Sequence, residues 1–203
     1  MRVRPVGADG LLLEVDDPTA WFAELWRRRA TGELVAVEIV PGATTVLVAG
    51  LDDATAAAEL IRSWPPAPAA DAITGELVEI PVTFDGQDLF AVAAFWSTSE
   101  PEVVQRLIAI EFRVAFCGFV PGFAYLTGLP SELAVPRLET PRTRVPAGSV
   151  ALADAYAGIY PTASPGGWRL IGRTDVVLFD PERDPPALLT PGTRVRFVER
   201  TAP

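Results

Sequence analysis

The sequence contains no histidine and no lysine, so all 17 of its cationic side chains are arginines. Without imidazole the chain has no Ser-His-Asp triad, no histidine-ligated metal site and no histidine acid–base pair of its own. Without a lysine amine it has neither a Schiff-base residue nor a P-loop lysine. Cysteine occurs once, at position 117 in the apolar run 114-VAFCGFV-120. There it reads as a small core hydrophobe, with no histidine to activate it. One cysteine makes no internal disulfide, which is compatible with a reducing cytoplasm. The opening MRVRPVGADG lacks an apolar signal core, and no apolar run is long enough to span a bilayer. The chain therefore reads as soluble and cytoplasmic, with no membrane partner.

What is present is a core-forming composition. Of the 203 residues 49% are apolar, enough for one large domain or two small ones and too many for a disordered chain. The 20 prolines and 16 glycines follow no period, which predicts many corners and short elements. The net charge of −9 argues against a general nucleic-acid or anionic-membrane binder. Between Arg137 and Arg173, however, five arginines face only Glu139 and Asp154. Such a local basic stretch suits a small anionic ligand or an acidic partner surface, and equally suits arginines that solvate loop edges.

Along the chain, short strands around Val3–Val6 and Leu11–Val15 precede a helix over 19-TAWFAELWRRRA-30, with Asp16, Asp17 and Pro18 as its start signal. Trp21, Leu25 and Arg28 share one face of that helix, and Arg27–Arg29 complement the negative end of its dipole. Two strands, 34-LVAVEIV-40 and 44-TTVLVAG-50, form a hairpin through 41-PGA-43, and a second helix follows over 54-ATAAAELIRSW-64. This order predicts an antiparallel sheet with helices on one face. The Pro- and Ala-rich stretch 65–76 reads as a semi-rigid linker, dividing the chain into residues 1–70 and 71–203. Beyond it come the strand 77-LVEIPVTF-84, with Pro81 favouring an edge or bulge, and helices over 88–96 and 100–109. Apolar runs at 112–120, 149–153, 168–172, 176–180 and 193–198, separated by Gly/Pro corners, predict a β-barrel or sandwich.

Three loops concentrate chemistry-bearing residues. The first, 118-GFVPGFAYLTGLP-130, holds Phe119, Phe123 and Tyr125 on a frame that includes Pro121 and Gly122. The second, 136-PRLETPRTRVPAGS-149, spaces Arg137, Arg142 and Arg144 with prolines and turns through Pro146 and Gly148 to Ser149. The third, 158-GIYPTASPGGWRLIGRT-174, sets Tyr160, Ser164, Trp168 and Arg173 among Pro165, Gly166 and Gly167. Aromatic side chains on Gly/Pro corners have few conformations to lose when a flat ligand or partner docks. Arginine nearby offers two-pronged donors for carboxylate or phosphate. The alternative use of each loop is barrel-corner packing, with the rings filling the barrel ends.

The runs 118–130, 140-TPRTRVPAGSVALA-153 and 158–174, with 80-IPVTFDG-86, closely resemble the allophanate hydrolase subunit 1 family. That family, also called the carboxyltransferase-domain C/D family, includes the B-type subunit of bacterial 5-oxoprolinase and Kip-type histidine-kinase inhibitors. The resemblance extends more weakly over nearly the whole chain. It implies an α+β N-terminal domain followed by a mainly-β cyclophilin-like barrel. It further implies a heteromer with the subunit 2 (C-type) protein and a third subunit, acting on an amide or lactam and coupling ring opening to ATP hydrolysis. The sequence departs from the family pattern at Leu107, where a histidine is usual, and in 154-DAYAG-158. There Tyr156 replaces a glutamine and Ala157 a hydroxyl residue.

The expected activity is thus that of one subunit of an ATP-dependent amide or lactam hydrolase, inactive alone. Arg142, Arg144 and Arg173 would bind a carboxylate or phosphate of a small anionic or amide substrate. Ser149 and Ser164 would donate hydrogen bonds, and Tyr160 and Trp168 would wall the pocket. General acid or base groups would come from the partner, Glu111 and Asp154 being the chain's own candidates. No metal or cofactor is expected on this chain alone, and ATP would enter with the assembled complex. The alternatives are a noncatalytic regulator of the kinase-inhibitor type and, on fold analogy alone, a peptidyl-prolyl isomerase.

Overall fold

The computed structural model describes residues 1–68 and 75–200. The chain divides into two compact units, Met1–Thr74 and Gly75–Pro203. The division expected between residues 70 and 71 lies outside the described residues.

The first unit is built on a four-stranded antiparallel sheet. Strands β1 (Arg2–Val6), β2 (Gly10–Glu14), β3 (Glu38–Pro41) and β4 (Thr45–Ala49) are ordered β1-β2-β4-β3. Helix α1 (Pro18–Ala30) starts where the Asp17 carboxylate accepts the Ala20 N–H at 2.9 Å. Helix α2 (Ala54–Arg62) starts at Asp53, whose carboxylate accepts from Thr55 and Ala56. Each cap satisfies backbone donors that the first helical turn leaves open. Leu11 and Leu13 from β2, Val46 and Val48 from β4, and Trp21, Phe22, Leu25, Ala58 and Ile61 from the helices share one core. The third strand begins four residues later than the sequence predicts. The N–H groups of Glu33 and Leu34 still bond the Arg28 carbonyl, so the end of α1 holds this segment away from the sheet. Arg27 and Arg28 both close on Glu24, a buried carboxylate one turn back, in addition to lying at the helix end.

The second unit is a nearly closed barrel of mixed strand direction. Its strands are β5 (Leu77–Val82), β6 (Glu111–Cys117), β7 (Ala124–Thr127), β9 (Ser149–Ala153), β10 (Tyr156–Ile159), β12 (Arg169–Arg173) and β13 (Arg194–Glu199), ordered β12-β9-β10-β7-β6-β13-β5. The β5–β13 pair is parallel and the others are antiparallel. Closure comes from Thr83 and Arg173, which exchange two backbone hydrogen bonds of 2.9 Å beyond β5 and at the end of β12. Of the two sequence alternatives, the barrel is the one formed. Pro81 lies in β5, at the end of the strand order, where a missing N–H costs no interior ladder bond. Strand β8 (Arg142–Val145) and the short β11 (Ser164–Gly166) form a separate ribbon. Helices α3 (Leu89–Phe95) and α4 (Glu100–Ala109) pack Val92, Val103 and Leu107 into the barrel core beside Phe112, Leu126, Ile171 and Phe197.

The strand expected over residues 176–180 is absent. Only Phe179 forms an isolated bridge, to Ala187. The segment takes up its backbone locally instead, the Asp180 N–H bonding the Pro186 carbonyl and the Leu188 N–H the Leu178 carbonyl. It packs Val176 and Leu178 onto the core as an irregular loop. No helix among the described residues is long and apolar enough to cross a membrane.

Candidate functional site

The barrel wall has two apolar faces. In β9, Val150 and Leu152 point into the barrel core, while Ala151 and Ala153 join a second cluster with Phe123, Val145, Tyr160, Trp168 and Leu170. In β7, Leu126 lies inside, whereas Tyr125 packs on the outer cluster. This is the period-two alternation of a strand covered on both sides. In β6 the alternation is broken by a bulge between Val114 and Phe116. Phe112 and Val114 face the core, yet Phe116 opposes Tyr125 and stacks on it at 4.3 Å. The extra residue in the strand re-aims the ring to the outer face.

The result is a continuous aromatic face. Phe123 meets Tyr160, Trp168, Tyr125 and Phe119 edge-on at 5.1–5.6 Å, and Tyr156 meets Phe116 and Tyr125 at 5.7 and 5.8 Å. Edge-to-face pairs of this kind are each worth about 0.5–1.5 kcal/mol beyond area burial. Phe123, Tyr160 and Trp168 are buried, Phe116, Tyr125 and Tyr156 are half-buried, and Phe119 stands out at 59% exposure. The Tyr160 hydroxyl lies only 2.2 Å from where a Cβ on Gly166 would sit, so only glycine lets the 164–168 turn close over this ring. Burial pushes the Tyr160 phenol up, against the Trp168 backbone N–H and the positive charges of Arg137 and Arg142, which pull it down. The face is therefore neutral and apolar at its centre.

Behind it stands an ion pair. Arg142 Nη2 lies 2.8 Å from both oxygens of Asp88, and its Nη1 donates to the Trp168 carbonyl at 3.2 Å. Asp88 precedes α3 but makes no side-chain cap bond. Its Oδ2 instead accepts the Leu170 N–H at 2.7 Å. The amide oxygen of Gln87, turned toward the guanidinium, accepts from Nε and Nη2 at 2.6 and 3.1 Å.

The residues predicted as ligand-binding separate into distinct environments. Arg142 is engaged by Asp88, and Arg173, exposed at the end of β12, donates to Asp85 at 2.9 Å. Arg144 is exposed on β8 and makes no ion pair among the described residues. Ser149 is buried at the start of β9, opposite Arg173 in register. Ser164 is half-buried on β11, with its hydroxyl 3.4 Å from the Thr162 carbonyl. Tyr160 and Trp168 stand together in the aromatic face with Phe123 and Tyr125 from the first loop. Among the frame residues, the Pro121–Gly122 turn carries Phe119, and Gly122 leaves room for the Phe179 Cβ, 2.6 Å from its own absent Cβ. Gly148, at φ 79°, passes 2.2 Å (by its absent Cβ) from the Thr174 carbonyl, and the Pro146 carbonyl accepts the Ser149 N–H. Pro165 is exposed on β11, and the Gly167 carbonyl accepts the Leu138 N–H at 2.7 Å.

Neither carboxylate candidate lies in the aromatic cluster. Glu111 makes a two-pronged pair with Arg194 at 2.8 and 2.7 Å, and these hydrogen bonds hold its carboxyl below the ordinary range. Asp154 is exposed in the β9–β10 turn at φ 51°. Cys117 is half-buried, its thiol pushed up to about 11 by burial, with Sγ 3.5 Å from the Leu189 carbonyl. Leu107 is fully buried in the barrel core. No group of acidic, cysteine or histidine side chains suited to a metal occurs among the described residues. Two open clefts lie elsewhere on the unit. One of about 410 Å³ is lined by Phe84, Val104, Gln105 and Glu199 among others, and one of about 380 Å³ by Phe90, Ala94 and Pro101.

A family model described as carboxyltransferase domain, subdomain C and D, matches residues 1–189. The chain is 40% identical over 204 residues to the 5-oxoprolinase B-type subunit of Escherichia coli O157:H7, covering 95% of this chain and 93% of that protein. It is 36% identical to the 5-oxoprolinase B-type subunit of Haemophilus influenzae, covering 98% of this chain and 97% of that protein. The crystal structure of TTHA0988 superposes with a TM-score of 0.78 at 33% identity. That match covers all of this chain but 41% of the TTHA0988 chain, so this protein spans less than half of that longer polypeptide.

Proposed function

This chain belongs to the carboxyltransferase domain, subdomain C and D, family, and on that premise we propose that it is the B-type subunit of a multi-subunit 5-oxoprolinase. The observation that carries the reading is end-to-end similarity to relatives of that name, at 40% and 36% identity over nearly the full length of each. The substrate class follows from the reading: a lactam bearing one carboxylate. The barrel, of cyclophilin-like type, contributes a recognition surface to a composite site completed by the subunit 2 (C-type) protein. The aromatic face of Phe116, Tyr125 and Tyr156 borders the flat ring, and Arg144 or Arg173 receives the carboxylate. The acid–base groups and the ATP site lie in the partner and a third subunit, since this chain offers no imidazole or amine side chain. We place the complex in the cytoplasm, where a lone thiol stays reduced.

The test is coexpression with a subunit 2 homologue and a third subunit. Copurification and conversion of 5-oxoproline to glutamate are expected, and neither activity nor complex is expected from this chain alone. A second reading, a regulatory protein of the histidine-kinase-inhibitor type, is favoured by Leu107 and Tyr156. The first is sealed in the core and the second joins the aromatic face, so neither supplies the histidine or glutamine that the family resemblance implies there. Tight binding to the helical domain of a histidine kinase, with no 5-oxoproline turnover, would select that reading.

A further inference from the structure

Phe119 stands in a conformation that its side chain disfavours. Its φ is 71°, a left-handed backbone that suits glycine and strains a bulky residue. The turn itself does not require the ring: it is held by backbone bonds from Gly118 N–H to the Phe123 carbonyl, Val120 N–H to the Gly118 carbonyl and Phe123 N–H to the Val120 carbonyl. Glycine would make the same turn at lower cost. Packing offsets the strain only in part, because the ring touches Phe123 and Tyr160 edge-on while remaining 59% exposed. A strained aromatic held up to solvent by a rigid turn is a preorganised contact, because little side-chain freedom remains to be lost on docking.

A second exposed apolar segment borders the same turn. Phe179 packs against Gly122 and is 36% exposed, and Val177 beside it is 60% exposed. The chain then runs directly into Asp180, Glu182 and Asp184, none of which makes an ion pair among the described residues. The one cation in that run, Arg183, spends its guanidinium on the carbonyls of Val177, Leu178, Pro185 and Pro186. The surface is thus an apolar ridge with a net acidic flank, three carboxylates against one arginine.

We propose that the ridge of Phe119, Val177 and Phe179 is the docking surface for the subunit 2 partner, which presents an apolar socket rimmed by arginine or lysine. The proposal rests on the multi-subunit reading above and adds the surface and the partner's chemistry. Charge argues against a second copy as the occupant: the chain carries −9 overall and its acids at the ridge make no ion pair among the described residues, so a copy would bring like charge to like. Apolar side chains at the centre supply affinity, and the flanking acids steer encounter.

The experiment compares the full-length wild-type chain with Phe119→Gly, Val177→Ser/Phe179→Ser and Glu182→Arg/Asp184→Arg. The readouts are binding to the purified subunit 2 homologue and thermal unfolding. Phe119→Gly is expected to weaken binding roughly thirtyfold, as removal of an interface anchor does, without lowering the melting temperature. The charge reversal is expected to slow association about tenfold at low salt, with the difference shrinking as salt rises. Wild-type binding with unchanged affinity in Phe119→Gly overturns the surface and leaves the subunit reading standing. No wild-type binding overturns both. Self-association of the wild-type chain that Phe119→Gly abolishes assigns the ridge to a second copy and overturns the choice of partner.

Discussion

Arg142 holds Asp88 through one guanidinium nitrogen, with Nη2 2.8 Å from each carboxylate oxygen, and the two residues fasten the 158–174 loop from behind. Asp88 receives the Leu170 N–H and Arg142 reaches the Trp168 carbonyl, so one charge pair fixes two nearby points of backbone beneath the aromatic face. Arg142, expected from sequence to meet a ligand, is engaged by Asp88 and the Trp168 carbonyl beneath the aromatic face.

Asp88→Ala should therefore cost about 3 kcal/mol of folding stability, because it strands a largely buried guanidinium. The double variant Asp88→Ala/Arg142→Ala should lose less than the sum of the two singles, since it removes the orphaned charge as well. Urea unfolding of the three variants measures this, and strict additivity would separate the two residues.

Gly166→Ala places a methyl group against the buried Tyr160 hydroxyl. The ring is packed on its neighbours, so a loss of about 1–3 kcal/mol is expected from overpacking. A changed near-ultraviolet circular dichroism signal should accompany it, since Tyr160 contacts Phe123 and Phe119.

The Cys117 thiol, raised from its ordinary 9.0 to about 11, should resist alkylation at pH 8 in the folded chain. Its effect on stability has a definite sign. The unfolded thiol ionises first, so the folded state binds more protons between pH 9 and 11 and stability falls as pH rises through that window. Cys117→Ala should flatten that decline, and an equal slope in both proteins would contradict the assignment.

Arg173→Ala should change stability by no more than about 0.5 kcal/mol, because its ion pair with Asp85 is exposed and the barrel closes through its backbone. If Arg173 receives the substrate carboxylate, the variant should raise KM for 5-oxoproline while the melting temperature stays put. Measuring both on one preparation separates recognition from folding.

Much of the fold could be read from local signals. The helix at residues 100–109 matches its predicted span, and strand 149–153 does as well, because each is marked by sharp punctuation: Ser99 with an acidic first turn in one case, Gly148 in the other. Failures arose where tertiary context overrode pattern. The apolar segment 176–180 has strand composition, but its backbone bonds go to residues 186 and 188 and not to the barrel. Phe116 sits in an alternating strand whose bulge turns it outward, and a one-residue insertion in pairing leaves no mark in a single sequence. The first and third loops do converge, with Phe123 and Tyr125 meeting Tyr160 and Trp168 in one cluster. The arginines could not be sorted in advance, since whether a cation is free depends on Asp85 and Asp88, far away in sequence and unremarkable in composition.

The most direct measurement is 5-oxoproline-dependent ATP hydrolysis in a mixture of this chain, the subunit 2 homologue and the third subunit, with each omitted in turn. Turnover is expected only when all are present, with omission of this chain abolishing it. Full turnover without this chain would contradict its place in the enzyme.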